Sequence, residues 1–321
     1  LKTLYIVGNG FDMAHKLPTS YWHFREYLED MHQDFLADFE YLYNIGRIDL
    51  SNPRVSERTV SRWKKAICDT LWSDFEDKMG RPNIDEMLDA SDCVLGDMHL
   101  DGGLIGIEDT MDVYWREQYG YMEKFQQYVK DWIEQVDTSS VSPKCNRILN
   151  STDYFMNFNY TDLLEKVYHA ENVLHIHGGV ESVTDIEPVM GHCNKHDIDE
   201  HKRLAREADE EFDEGGASIH RAVVDYLSRI YKDTDAIVSF NNYFWNKLHN
   251  VNRVEIIGWS AGEVDLPYLR IIRDNVDSST IWNVYFYDDR ALTMLSKAMD
   301  SEKISDLYEV HYIPANEFWN K

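Results

Sequence analysis

The chain has 321 residues, 43% of them hydrophobic, enough to bury the core of one large domain or two smaller ones. Its formal net charge of -26 and pI near 4.8 speak against nucleic acid as a partner, because binding a phosphate backbone needs a basic face to displace counterions. No apolar run approaches the roughly 20 residues of a membrane span and no signal pattern opens the chain, so a soluble, cytoplasmic protein with no membrane contact is expected. The four cysteines, Cys68, Cys93, Cys145 and Cys193, include no C-x-x-C pair, and neither a disulfide framework nor a zinc ribbon is indicated.

The apolar run 4–7 reads as a buried strand closed by Gly8-Asn9-Gly10-Phe11-Asp12. A turn of this kind points backbone N–H groups at a phosphate. Gly8 supplies the tight turn and Gly10 a bare backbone for a pyrophosphate to approach, while Asp12 is placed to accept from a ribose hydroxyl or to cap the next turn. The third glycine of a dinucleotide fingerprint is missing, so a plain strand and turn fits the same residues. Next, Tyr21, Phe24, Tyr27, Leu28, Met31, Phe35, Leu36, Phe39 and Leu42 predict one long helix capped by Thr19 or Ser20. Helical spacing returns at 63–75 and 122–133, with a Gly- and Asp-rich loop over 89–112. Residues 21–149 thus read as a helical insertion or cap, with Glu76 placed to reach inward as part of a lid.

From residue 152 the periodicity changes. A strand over 154–158 leads into a helix start at 159–162, and a second strand over 173–177 ends at Gly178-Gly179. The charged stretch 195–214 reads as a solvated helix or mobile loop ended by Gly215-Gly216. Helices over 217–231 and 236–249 precede a strand at 254–257, a helix from Leu266, a strand over 281–287, a helix from Arg290 and a last strand over 308–313. This alternation predicts an α/β fold: a Rossmann-like, doubly wound, mainly parallel sheet built from residues 1–20 and 150–321.

Four strand ends carry polar residues: Gly8-Asn9-Gly10, Asn157-Phe158-Asn159, His175-Ile176-His177-Gly178 and Gly258-Trp259-Ser260. In an open α/β sheet, ligands bind outside the carboxyl ends of the strands, so these four loops are expected to converge on a site. Read singly, Asn159 also fits a helix N-cap and His175 a satisfied core histidine.

These residues resemble the AbiH family of bacteriophage abortive-infection proteins. The resemblance rests on Gly8-Asn9-Gly10-Phe11-Asp12, Leu17-Pro18-Thr19-Ser20-Tyr21, Phe158-Asn159-Tyr160-Thr161, His175-Ile176-His177-Gly178 and Gly258-Trp259-Ser260 with Asp265. It departs at Lys16, where the family usually has Gly, and at Trp259, where it usually has His. More distantly the motifs are similar to the NAD-binding core of sirtuins: Gly8-Asn9-Gly10 with Leu17-Pro18, Asn157-Phe158-Asn159, His177-Gly178 and Gly258-Trp259-Ser260, with Thr161 in place of the sirtuin aspartate and no zinc-binding cysteine pairs. That similarity implies NAD as ligand or substrate and an anti-phage NAD glycohydrolase. In it, Asn159 orients the ribose or water, His177 takes a proton, and the two act as one unit with Asp12 nearby. Gly8, Asn9, Gly10, Phe11, Gly178 and Gly258 surround the nucleotide, and Ser260 and Asp265 meet its adenosine side.

Three other readings remain open. The same pocket fits a nucleotide-sensing module without turnover, answering a phage-derived trigger or driving self-assembly. His192, Cys193, His196 and His201 have a spacing that fits metal ligands on a helix face, but surface histidines are by far the commoner reason for such a cluster and no metal is expected. Gly258-Trp259-Ser260-Ala261-Gly262, followed by Asp288 or Asp289 and His311, has the order of an α/β-hydrolase triad, but the helix from Leu266 starts later than a nucleophile elbow requires.

Overall fold

The computed structural model describes residues 2–49, 52–89, 107–145 and 152–320. Most of the loop predicted over 89–112 therefore lies outside the described residues. Six strands form one all-parallel sheet: β1 (Lys2–Val7), β2 (Tyr154–Asn157), β3 (Val173–His175), β4 (Val251–Ile257), β5 (Ile281–Phe286) and β6 (Glu309–Pro314). Their spatial order is β3-β2-β1-β4-β5-β6, the doubly wound arrangement that the alternating pattern predicted. The order reverses between β1 and β4. Val7 is in register with both Asn157 and Ile257, and Asn157 with His175, so these four strands end level with one another.

Alternate residues of β1 feed two hydrophobic clusters, as the period of a strand covered on both faces requires. Leu4 and Ile6 join Met156, Val254, Ile256, Trp259 and Tyr268, with Phe158 packed against them. Tyr5 and Val7 join Phe11, Phe155, Leu163, Leu164 and Ile257.

The chain divides into two compact units. One comprises residues 1–24, 129–190 and 233–321 and carries the sheet; the other comprises 25–128 and 191–232. The second is helical, and its core includes the stacked rings of Trp72 and Phe75, 4.4 Å apart, with Phe39 and Phe125 against them. Glu76 belongs to that interior. Its carboxylate accepts from Lys232 Nζ at 2.5 Å and from the Gly191 amide at 2.9 Å, so the group expected in a lid is committed to a buried ion pair inside its own unit. Among the described residues, no helix is long and apolar enough to cross a membrane.

Two local expectations need correction. The long helix predicted over 21–42 is two, Tyr21–Met31 and Gln33–Tyr41, because His32 leaves helical geometry (φ -142°, ψ 53°) and stacks its ring 3.7 Å from that of Tyr128. Its start is read correctly: the Ser20 hydroxyl accepts from the His23 amide, and His23 Nδ1 accepts from the Ser20 amide in return. Gly215-Gly216 does not end a helix but lies in the first turn of Glu214–Arg229, after the helix Lys195–Glu210. A Cβ at Gly216 would sit 2.2 Å from the Asp213 carboxylate that caps this turn, which explains the glycine.

Candidate functional site

The loops after β1 and β4 meet backbone to backbone. The Gly8 amide donates to Ile257 O (3.0 Å), the Gly10 amide to Gly258 O (2.7 Å), and the Phe11 amide back to Gly8 O (2.9 Å). A Cβ on Gly8 would lie 2.5 Å from Trp259 Cα, and one on Gly10 2.7 Å from Gly258 Cα. Gly258 itself has φ +66° and faces the Phe11 amide. The glycines are therefore explained by the close approach of two loops at the point where the sheet order reverses. Two of the amides assigned to a pyrophosphate have backbone acceptors in this arrangement. The ring of Phe11, expected beside the nucleotide, is buried against His15, Tyr168 and Trp319.

Beneath this contact lies Asp12, 1% exposed, on the short helix Asn9–Ala14. Asn159 Nδ2 donates to Asp12 Oδ1 (3.0 Å) and to Gly8 O (3.2 Å), and the Thr161 hydroxyl donates to Asp12 Oδ2 (2.7 Å). Asn159 is not a helix cap. The helix Leu163–Tyr168 starts after Asp162, and the Asn159 side chain ties the β2 loop to the β1 loop. Burial pushes the Asp12 carboxyl up from its ordinary value near 3.8 to about 7, against the opposing pull of the Thr161 hydrogen bond and of His175. Asn9, at the start of the helix that carries Asp12, accepts from the Thr19 hydroxyl at 2.6 Å.

A second polar set occupies the Phe158 and Tyr268 side of the sheet. His177 Nε2 lies 3.2 Å from the Tyr268 hydroxyl and 3.6 Å from Asp265 Oδ1, and Trp259 Nε1 donates to Asp265 Oδ2 at 3.1 Å. The Phe158 ring stands edge-on to His177, 5.2 Å away. Asp265 is thus buried against His177 and Trp259, while Ser260 is exposed at the loop surface. Gly178 has φ +74°, and a Cβ there would lie 2.1 Å from Glu187 O, so its glycine answers to chain packing. The structure brings Asp12 to Asn159 and His177 to Asp265. The pair expected to act as one unit, Asn159 and His177, is held by different partners.

The hydrolase arrangement is not formed. His311 is in register with Asn283, and Asn283 with Glu255, so His311 lies five residues short of Ser260 along the strand direction, roughly 16 Å, and two strands away. Its ring pairs instead with Glu309. Asp288 caps the helix Asp289–Ser301 by accepting from the Ala291 amide. Of the histidines in the alternative metal reading, His192 is buried and bonded to Leu227 O, and His201 faces His220 at 3.0 Å. Among the described residues, no group of three or more His, Cys, Asp or Glu is placed to hold a metal ion.

Sequence reasoning missed Tyr268, Glu165 and the carboxylate role of Asp12 toward Thr161. Tyr268 sits in an amphipathic helix, where its spacing reads as core, and the contact between Glu165 and His175 joins a helix to a neighbouring strand.

A family model described as bacteriophage abortive infection AbiH matches residues 4–287, a span that holds all four loops. The chain belongs to the AbiH family. Membership supports an anti-phage, abortive-infection role. No curated protein and no solved structure matches the chain. Within this AbiH chain the two departures from the family motif have physical readings. Lys16 has φ +65°, the left-handed region in which glycine is unstrained. Trp259 keeps a ring N–H on Asp265. Lys16→Gly is expected to stabilise the chain by ~0.5–1 kcal/mol, relief of the left-handed strain exceeding the extra unfolded-state entropy. A higher urea midpoint with unchanged slope is the expected result, and an unchanged or lower midpoint would show that Lys16 carries no strain.

Proposed function

We propose that this AbiH chain is a phage-defence effector that binds a nucleotide at the carboxyl edge of the sheet between β1 and β4, most specifically NAD, and hydrolyses its nicotinamide-ribose bond. The observation that supports this reading is the Asp12-Asn159-Thr161 set: a buried carboxyl with an acid strength near neutrality at the crevice where α/β sheets take ligands. In the reaction, water attacks the ribose C1′ as the bond to nicotinamide breaks, and its electron pair leaves on the pyridine nitrogen. Asn159 orients the water or the ribose. The proton lost by water passes to Asp12, whose burial raises its carboxyl to about 7 and makes it a stronger base than an exposed aspartate, with the His177-Asp265 pair as a second acceptor. Asn9, Gly10 and Ser260, which border the edge, meet the ribose and phosphate groups. The carboxylate that the sirtuin motif carries at the position of Thr161 is supplied here by Asp12, bonded to the Thr161 hydroxyl.

A second reading, a nucleotide sensor without turnover, is favoured by the loop amides. Gly8 and Gly10 are already bonded, so a pyrophosphate has to part the β1 and β4 loops, and ligand binding then changes loop conformation in a way that a phage-derived trigger or self-assembly exploits. Calorimetry of the purified chain with NAD and with ADP-ribose, followed by chromatography of the sample, separates the two. Binding with nicotinamide release supports hydrolysis; binding with NAD recovered intact supports the sensor; no binding of either removes the nucleotide pocket.

A further inference from the structure

Resting on the proposed hydrolysis, a deeper layer of the same site can be assigned. His175, buried at the end of β3, presents Nδ1 to the carbonyl oxygen of Asn159 at 3.2 Å and Nε2 to Glu165 Oε1 at 2.8 Å. A carbonyl oxygen only accepts, so Nδ1 is the donor in the first contact. We propose that His175 and Glu165 are positioning residues: Glu165 sets the orientation of the His175 ring, which holds the Asn159 backbone in place and with it the Asn159 amide that donates to Asp12. The helix Leu163–Tyr168 that presents Glu165 begins two residues after Thr161, so one short segment supplies Asn159, Thr161 and the group that orients His175.

The charged groups around Asp12 fit this arrangement. His175 favours its ionised form, whereas Asp162 and Glu165 oppose it. Asp162 is itself engaged by Lys166 at 2.7 Å, by the Ser182 hydroxyl at 2.8 Å and by Thr138; these contacts outweigh its burial and hold it below the usual carboxylate range. Contacts at both ring nitrogens, to the Asn159 carbonyl and to Glu165, fix the plane of the His175 ring. Asn159, and through it Asp12, is thereby held by His175 and Glu165.

The test is a titration of the ligand-free full chain carrying ¹³C-carboxyl aspartate, with the Asp12 signal assigned from Asp12→Asn. His175→Gln is expected to make Asp12 a roughly tenfold weaker acid, because the neighbour that favours its ionised form is lost. Glu165→Gln, which keeps a polar group at Nε2 but removes a group that opposes ionisation of Asp12, is expected to move the midpoint the opposite way. At saturating NAD, His175→Gln is expected to lower kcat about tenfold with KM within about twofold, as loss of positioning rather than of binding predicts. Glu165 is a quarter exposed, so its variant keeps the test open if the His175 variant does not fold. An unmoved midpoint in folded variants, or the same direction in both, overturns the inference. If NAD is not turned over, the titration still decides the positioning roles, and only the proposed hydrolysis falls.

Discussion

Gly258→Ala is expected to destabilise the chain by ~3–5 kcal/mol, a large part of a typical total of about 5–15 kcal/mol. The single added methyl would stand 2.3 Å from the Phe11 amide nitrogen and 2.7 Å from Gly10 C, both backbone atoms that no rotamer change can move aside. The left-handed φ of +66° adds strain to the clash. Gly10→Val meets the same wall from the other loop, so it is expected to lose fold along with any ligand binding; it does not isolate a phosphate contact. Urea unfolding followed by circular dichroism measures both. A wild-type midpoint for Gly258→Ala would mean that the β1 and β4 loops do not touch as described.

Asp12→Asn is expected to abolish turnover and, at neutral to alkaline pH, to make the chain more stable. The folded state raises the Asp12 carboxyl from near 3.8 to about 7, so folding favours the protonated form. That contribution is complete below about pH 4 and is lost as pH rises through 7. Across this window the wild type gives up on the order of 3–4 kcal/mol relative to a chain lacking the group. Asparagine keeps the shape, accepts from Asn159 and donates to Thr161, and it does not titrate. The stability difference between variant and wild type should therefore be several kcal/mol at pH 8 and should fade toward pH 4. Turnover of the wild type runs the other way, rising through pH 7 as the carboxylate forms. Parallel stability curves for the two proteins would show that Asp12 is an ordinary acid.

The sheet was legible because its signals are local. Runs such as 4–7 and 254–257 are uniformly apolar, as strands buried on both faces must be, and each is punctuated by glycine or a polar turn. The edge on which the four loops converge followed from topology alone. What each loop residue does there was less legible, since it depends on contacts between segments more than a hundred residues apart. Gly10 reads equally as a place for a phosphate or for another backbone, and only the position of Gly258 decides. Asn159 reads as a cap until Asp12 appears beneath it. His32 interrupts a helix because of a ring contributed by Tyr128, which no periodicity in 21–42 can encode. His177 and His175 share a motif and alternate along the chain, yet one turns to Tyr268 and Asp265 and the other to Glu165 and Asn159.

The most direct measurement of the proposed chemistry is quantification of nicotinamide and ADP-ribose released from NAD by the purified chain, alone and with lysate from phage-infected cells, beside Asn159→Ala. Hydrolysis predicts equal amounts of the two products from the wild type in at least one condition, with a loss of about a hundredfold or more in the variant. Intact NAD in every wild-type sample, or equal product from wild type and variant, would contradict it.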